Sequence, residues 1–493
     1  MPPRRTPLLA LLGTAALGAA LLSPASAGAQ DAAHADAAVS SARWLAGELQ
    51  EDGSLPGPFG TAPDWGLTID ALVALQATGA DPAAADRVEA AVAANVANYN
   101  SYAGWGGDPD ARIGGATAKI LYASVVSGAD PADFGGFDMR QETLDLVQGP
   151  EGGSDEGRIS DRIPGGDTDN SNTFGQSLGV IGLARSGGVP QEAVDFLIRQ
   201  QCSAGGFRLF PDQFGTPAPT CDEATTVVLD PDSTGMAVQA LLAAADTGSE
   251  DAAEAAALGA DWLEEIQRAD GSFGGSGPTA ASNTNSTGLA GQALSAAGRE
   301  GAADAAADWI DAHRLTSSSG AAAAEAGAIA YNAESRDGAV AEGIPGMQRD
   351  QWRRASAQAL LGLARVPLGE IGLVPVDPPG PTASPSEVPT TGPTTGPTAG
   401  PTAGPTAGPT TGPTTGPTGG PTTDPTAGPT GGPTASPTGR PSAPVPESAG
   451  AGKPSLAVTG AGLASLVTVA LVLTVAGASL FLATRRSAER KTP

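Results

Sequence analysis

The side chains whose types and spacing could do chemistry sit in three self-similar segments that align without gaps. Asp167-Thr168-Asp169-Asn170-Ser171 leads to Gln176, Asp230-Pro231-Asp232-Ser233-Thr234 to Gln239, and Asn283-Thr284-Asn285-Ser286-Thr287 to Gln292. The interval from the first acid or amide to the glutamine is the same in all three. Asp and Asn followed by Ser or Thr can cap a helix, and the glutamine can bond the loop of a neighbouring repeat. A pair of facing carboxylates such as Asp169 and Asp232 could instead cleave a glycan by acid–base chemistry, although the spacing does not require it. Asp167, Asp169 and Ser171 fit the first three ligand positions of an EF-hand, but Asn172 stands where Gly is needed and Leu178 where Glu is needed. The calcium reading therefore fails. The two cysteines (Cys202, Cys221) and two histidines (His34, His313) cannot make a Cys/His-rich zinc cluster and leave little for nucleophilic catalysis. His313, one turn beyond Trp309, reads as a packed or surface histidine, and His34 as part of a frayed start.

The elements that must carry these residues are helix pairs. Further copies end in Gln358-Ala359-Leu360, Asp70-Ala71-Leu72 and Lys119-Ile120-Leu121, which makes six units of roughly 50 to 65 residues. After each head, apolar residues recur at helical spacing, as in Val238, Leu241, Leu242 and Ala245. The partner helix carries an aromatic–aliphatic pair: Trp44-Leu45, Phe196-Leu197, Trp262-Leu263, Trp309-Ile310. It ends in a glutamine and a glycine turn, as in Gln50 to Ser54, Gln201 to Phe207 and Gln267 to Phe273. Glycine there can supply the left-handed conformation that stops a helix.

These turns resemble the QW-type (prenyltransferase/squalene oxidase) repeat of the terpenoid cyclase and protein prenyltransferase superfamily, over roughly residues 35 to 368. The resemblance implies an all-α fold, an α/α toroid of about six helical hairpins. Six inner helices would form a barrel inside six outer ones, with the inner heads at one open end. The D-x-D-[NS]-[ST]-x4-Q pattern is also similar to the cobalamin-transport branch, intrinsic factor and transcobalamin. That likeness implies a polar ring of Asp169, Gln176, Asp232, Gln239, Asn285 and Gln292 binding a small molecule, with a corrinoid such as cobalamin as the ligand to expect. The branch closes over its ligand with a β domain that this chain lacks, so a partner would have to act as lid. Enzymes of the superfamily fit less well. Asp230-Pro231-Asp232-Ser233 lacks the last acid of a cyclase D-x-D-D, and no Asp/Cys/His zinc set for prenyl transfer is present. With six Trp, four Tyr and ten Phe in the chain, carbocation stabilisation by aromatic faces would be poor. The expectation is a non-catalytic binding protein, with a cyclase-like enzyme or a surface adhesion module as alternatives.

The two ends of the chain add a location. Arg4 and Arg5, an apolar run from Leu8 to Leu22 and the small-residue cut at Ala25-Ser26-Ala27 are the parts of a secretory signal, residues 1–29. The domain of residues 30–372 follows, then a Pro/Thr/Gly stalk over 373–450 with a GPTxGPTx repeat. Proline every few residues forbids helix and sheet ladders, so the stalk is extended. At roughly 3 Å per residue it spans on the order of 200 Å. Residues 451–493 resemble a sortase sorting signal of the LAxTG kind: Leu456-Ala457-Val458-Thr459-Gly460, an apolar span over 461–483 and a basic tail over 484–493. The resemblance implies cutting between Thr459 and Gly460 by a sortase, with peptidoglycan as the acceptor and the membrane as the earlier anchor. In an exported domain, Cys202 and Cys221 are expected to form a disulfide. A net charge of −27 argues against nucleic acid as a partner.

Overall fold

The computed structural model describes residues 24–166, 169–213 and 216–373. The signal core, the stalk and the sorting signal lie outside the described residues, as do Asp167 and Thr168. Among the described residues no helix is long and apolar enough to cross a membrane.

Among the described residues, fourteen α-helices build the domain. Six form an inner ring: α2 (Trp65–Thr78), α5 (Gly114–Ser127), α7 (Thr173–Arg185), α9 (Pro231–Ala245), α11 (Thr284–Ala296) and α14 (Arg349–Ala364). Each inner helix packs on the next, and α14 returns against α2, so the ring closes. Outside lie α1 (Pro24–Gly47), α3 (Pro82–Ala93), α6 (Met139–Leu144), α8 (Gln191–Ile198), α10 (Glu250–Ile266) and α12 (Glu300–Ala312). Two further helices, α4 (Val96–Asn100) and α13 (Ala333–Glu342), stand in connections. The fold is an α/α toroid. Among the described residues the only strands are a two-residue antiparallel ladder, Asp212–Gln213 with Thr216–Pro217.

Local chemistry explains where the helices begin. The Asp64 carboxylate accepts from Leu67 N, Asn172 from Phe174 N and Gly175 N, Asp230 from Ser233 N, and Asn283 from Ser286 N. Each cap satisfies backbone N–H groups that the first turn leaves without partners. The aliphatic members of the outer pairs, Leu45, Leu197, Leu263 and Ile310, are completely buried. Gln201 and Gln267 each donate to their own glycine turn and to the next outer helix, at Ala255 O and Ala302 O. The turn glycines touch the same neighbour: a Cβ on Gly271 would lie 2.2 Å from Ala305 O, at a φ of +86°. Glutamine and glycine thus fasten one repeat to the next.

Small residues make the barrel narrow. A Cβ on Gly175 would lie 2.7 Å from Gly115 Cα, and one on Gly288 would lie 2.6 Å from Ala359 Cα. The ring is tied shut by ion pairs across nearly the whole domain. Arg349 and Arg353 both reach Glu48 on the connection after α1, at 2.6 and 3.1 Å. His34 is a structural residue and no frayed end: it is buried, with Nε2 2.9 Å from Asp308 Oδ1 on α12. His313 packs on the Trp309 ring, and burial lowers its pKa.

Cys202 and Cys221 form a disulfide across the connection from α8 to α9. Closing a loop of this length restricts the unfolded chain by about 3 kcal/mol. Replacing both cysteines by serine is expected to lower Tm by several degrees, read by circular dichroism. An unchanged Tm would show that this connection is held by its other contacts alone.

Candidate active site

Counting from the helix caps places the polar side chains in levels. The second residue after the cap is Phe174 in α7, Asp232 in α9 and Asn285 in α11. The sixth is Asp70, Lys119, Leu178, Met236 and Leu289 in α2, α5, α7, α9 and α11. All five line one cavity in the barrel, with Gln358 of α14. The ninth is Tyr122, Gln239 and Gln292 in α5, α9 and α11.

The ninth-residue level is closed by the chain itself. Leu368 N donates to Gln239 Oε1 at 2.8 Å, Gln292 Nε2 donates to Val366 O at 2.6 Å, and Tyr122 Oη donates to Leu368 O at 2.9 Å. Gln239 Nε2 also donates to Gln292 Oε1 at 3.2 Å. Segment 366–371 therefore stops this end of the barrel, with Leu368 and Ile371 buried. The cavity between this stopper and the heads measures about 50 Å³, room for a few water molecules.

Gln176 belongs to neither level. Its side chain accepts from Ile159 N and donates to Gly157 O and Ala193 O, so it bonds outward to connecting segments. Thr234 and Thr287, four residues after their caps as Gln176 is after Asn172, accept from Phe207 N and Phe273 N in the same way. The gapless alignment of the three segments is thus five residues out of register at α7. Asp169 lies in the loop before that helix. It accepts from Ser171 N and Asp161 N and pairs with Arg158 at 3.2 Å. Of the six side chains expected to share one ring, the structure brings only Asp232 and Asn285 together at the heads.

Charged residues that the segment pattern did not single out as site residues join those two. Asp70 and Lys119 form an ion pair of 2.5 Å inside the barrel. Arg354 reaches Asp64 at 2.5 Å and Asp350 at 2.8 Å. Asp70, Lys119 and Gln358 were visible as degenerate repeat ends, but matched there to the glutamines three residues deeper. Positions three apart share a helix face, so the apolar pattern survives that shift.

Electrostatics separate the carboxylates. Burial raises the Asp232 carboxyl, the neighbouring Asp230 charge raises it further, and a hydrogen bond from Ser286 opposes both; the result is a pKa of about 7. Its Oδ1 is buried without a hydrogen-bond partner. The oxygens of Asp230 accept from Ser233 N, Ser233 Oγ and Ser276 Oγ. Tyr331 stands near enough that burial and the Asp232 charge together raise its phenol. On the opposite side of the ring burial pushes Asp64 up, but Arg354 and the Leu67 N–H outweigh it and hold the carboxyl below its ordinary value. Burial raises Asp70 more than Lys119 lowers it. A carboxylate held down and a carboxyl pushed up thus stand at the heads of the first and fourth of the six inner helices. Among the described residues no cluster of three or more His, Cys, Asp or Glu could hold a metal ion.

No family model matches the chain. No curated protein matches it either. Solved structures share the course of the chain. A protein from Actinoplanes is 17% identical, with a TM-score of 0.45 over 68% of this chain and 99% of that one. The GH76A alpha-1,6-mannanase of Salegentibacter sp. HEL1_6 is 11% identical, with a TM-score of 0.46 over 68% and 99%. An unsaturated glucuronyl hydrolase from Bacillus sp. GL1 is 14% identical, with a TM-score of 0.42 over 68% and 96%.

The geometry corrects the expectation of a non-catalytic receptor for a corrinoid. Two of the three structures above are named for carbohydrate-processing enzymes. The cavity behind the heads, about 50 Å³, is smaller than a corrin macrocycle, and all three glutamines assigned to the ring are bonded within the chain. The heads instead carry an acid, Asp232, whose carboxyl is pushed up to about 7 by burial and the neighbouring Asp230.

Proposed function

We propose that the toroid is a glycan-cleaving enzyme with its site at the inner-helix heads, Asp232 being the general acid. The observation that supports this most directly is the unpartnered, buried Oδ1 of Asp232, on a carboxyl titrating at about 7. A general acid works best with a pKa near the working pH. In the reaction the glycosidic C–O bond breaks and the Asp232 proton passes to the leaving oxygen. Water adds to the anomeric carbon and gives its own proton to a carboxylate. Asp64, kept ionised by Arg354 on the far side of the ring, is the counterpart that stays charged. Two carboxyls with pKa values pushed apart by their surroundings are the arrangement such hydrolysis needs.

The reading predicts a pH profile. Activity needs protonated Asp232, so it is expected to decline as pH rises through about 7. The acid limb should fall below the ordinary carboxylate range, because Asp64 must lose its proton. Release of reducing ends from polysaccharide, measured between about pH 2 and pH 9, checks both limbs. Undiminished cleavage from pH 7 to 9 would remove Asp232 from the role of acid.

A further inference from the structure

We infer that the mouth selects an uncharged, hydroxyl-bearing sugar unit and rejects a uronate, an inference that rests on the glycan-cleaving reading of the same site. Asp232 Oδ1 and Asn285 Oδ1 are both buried and without partners, on the second residues of the neighbouring helices α9 and α11. The Asn285 amide cannot turn round to hide its oxygen. Its Nδ2 donates to Gln358 Oε1 at 2.7 Å and to Arg354 O at 3.3 Å, which holds the oxygen turned away from those two acceptors. A buried acceptor left without a donor is destabilising, so this pair favours a ligand that brings donors. Sugar hydroxyls donate as well as accept. A carboxylate accepts only.

The cations at the heads are already answered. In the first two turns of the six inner helices the basic residues are Lys119, Arg349, Arg353 and Arg354. Lys119 pairs with Asp70 at 2.5 Å, and Arg354 with Asp64 and Asp350 at 2.5 and 2.8 Å. Arg349 pairs with Glu48 and Glu325 at 2.6 and 3.0 Å, and Arg353 with Glu48 at 3.1 Å. Asp230 adds a further negative charge beside the acid. Among the described residues of these first two turns no cation is free to receive a substrate carboxylate, which would lose its water and meet like charge there, an unfavourable exchange. Arg162 and Arg268 are exposed on connecting loops, where solvent and salt screen them.

The test is calorimetric binding of the full chain at pH 6 to mannohexaose, cellohexaose, xylohexaose, a galacturonate hexamer and a chitosan hexamer, with cleavage followed in parallel. At least one neutral hexamer is expected to bind about tenfold or more tighter than the galacturonate, the worth of one satisfied buried acceptor. Galacturonate binding as tightly as every neutral sugar would overturn the inference. Chitosan binding tightest would also overturn it, because the acid would then be holding a cation. Neutral binding without cleavage would support the selectivity and defeat the hydrolase reading. Cleavage of the galacturonate alone would keep the hydrolase reading and defeat the selectivity. Absence of binding by every hexamer would defeat both.

Discussion

Asp232→Asn is expected to reduce turnover by roughly 10²- to 10⁴-fold, the usual worth of a general acid, while making the folded domain more stable above neutral pH. The two effects have one cause. The folded carboxyl is pushed up to about 7, against an ordinary value of 3.8 that it recovers in the unfolded chain. Between those values the folded state holds a proton that the unfolded state has lost. Stability contributed by that proton is fully present below the unfolded pKa and is lost as pH rises through the folded one. At pH 8 the wild type must ionise a buried acid beside Asp230, whereas the amide has nothing to ionise. The difference is at most on the order of 4 kcal/mol, since each pKa unit is worth about 1.4 kcal/mol and partial exposure of the residue reduces it. Thermal melts of both forms at pH 4 and pH 8 measure it. The variant should melt several degrees higher at pH 8, with the gap closing towards pH 4. Equal shifts at both pH values, or an active Asn variant, would mean that the carboxyl is neither strained by burial nor chemically used.

Asp70→Asn is expected to destabilise the domain by about 3–5 kcal/mol, the cost of leaving a buried partner charge uncompensated. Lys119 has a side-chain exposure of only 7% and its ammonium meets Asp70 at 2.5 Å, whereas Asp70 itself keeps 19%. The rest of that level is Leu178, Met236, Leu289 and Gln358, which offer the lysine no second carboxylate. Changing both members, Asp70→Leu with Lys119→Met, removes the charges together and should recover most of the loss. Denaturant unfolding of the two single variants and the double variant forms the cycle that reads the coupling. A double variant no more stable than Asp70→Asn would show that the pair is needed for more than mutual compensation.

The helical repeat was legible because its signals are local. Caps such as Asp230 and Asn283 bond residues three positions away, and the turn glutamines Gln201 and Gln267 bond a carbonyl four positions on. A period and a handful of polar and glycine residues are enough to announce such bonds. The apolar faces were equally clear, although they misled where depth mattered. Asp70, Lys119 and Gln358 share a level with Met236, not with Gln239, and a three-residue slip leaves the pattern of apolar residues almost unchanged.

What the sequence by itself determined is therefore the repeating unit: helix pairs, their caps, their glycine turns and the pairing of Cys202 with Cys221. Tertiary structure alone decided what those units leave free. It set segment 366–371 against Gln239 and Gln292, turned Gln176 outward, joined Arg349 to Glu48 across about 300 residues, and left Asp232 without a partner for one oxygen. The physical reason is that a hydrogen bond within a turn depends on neighbours in the chain. A carboxyl's charge and solvation depend on every group that the closed ring brings beside it.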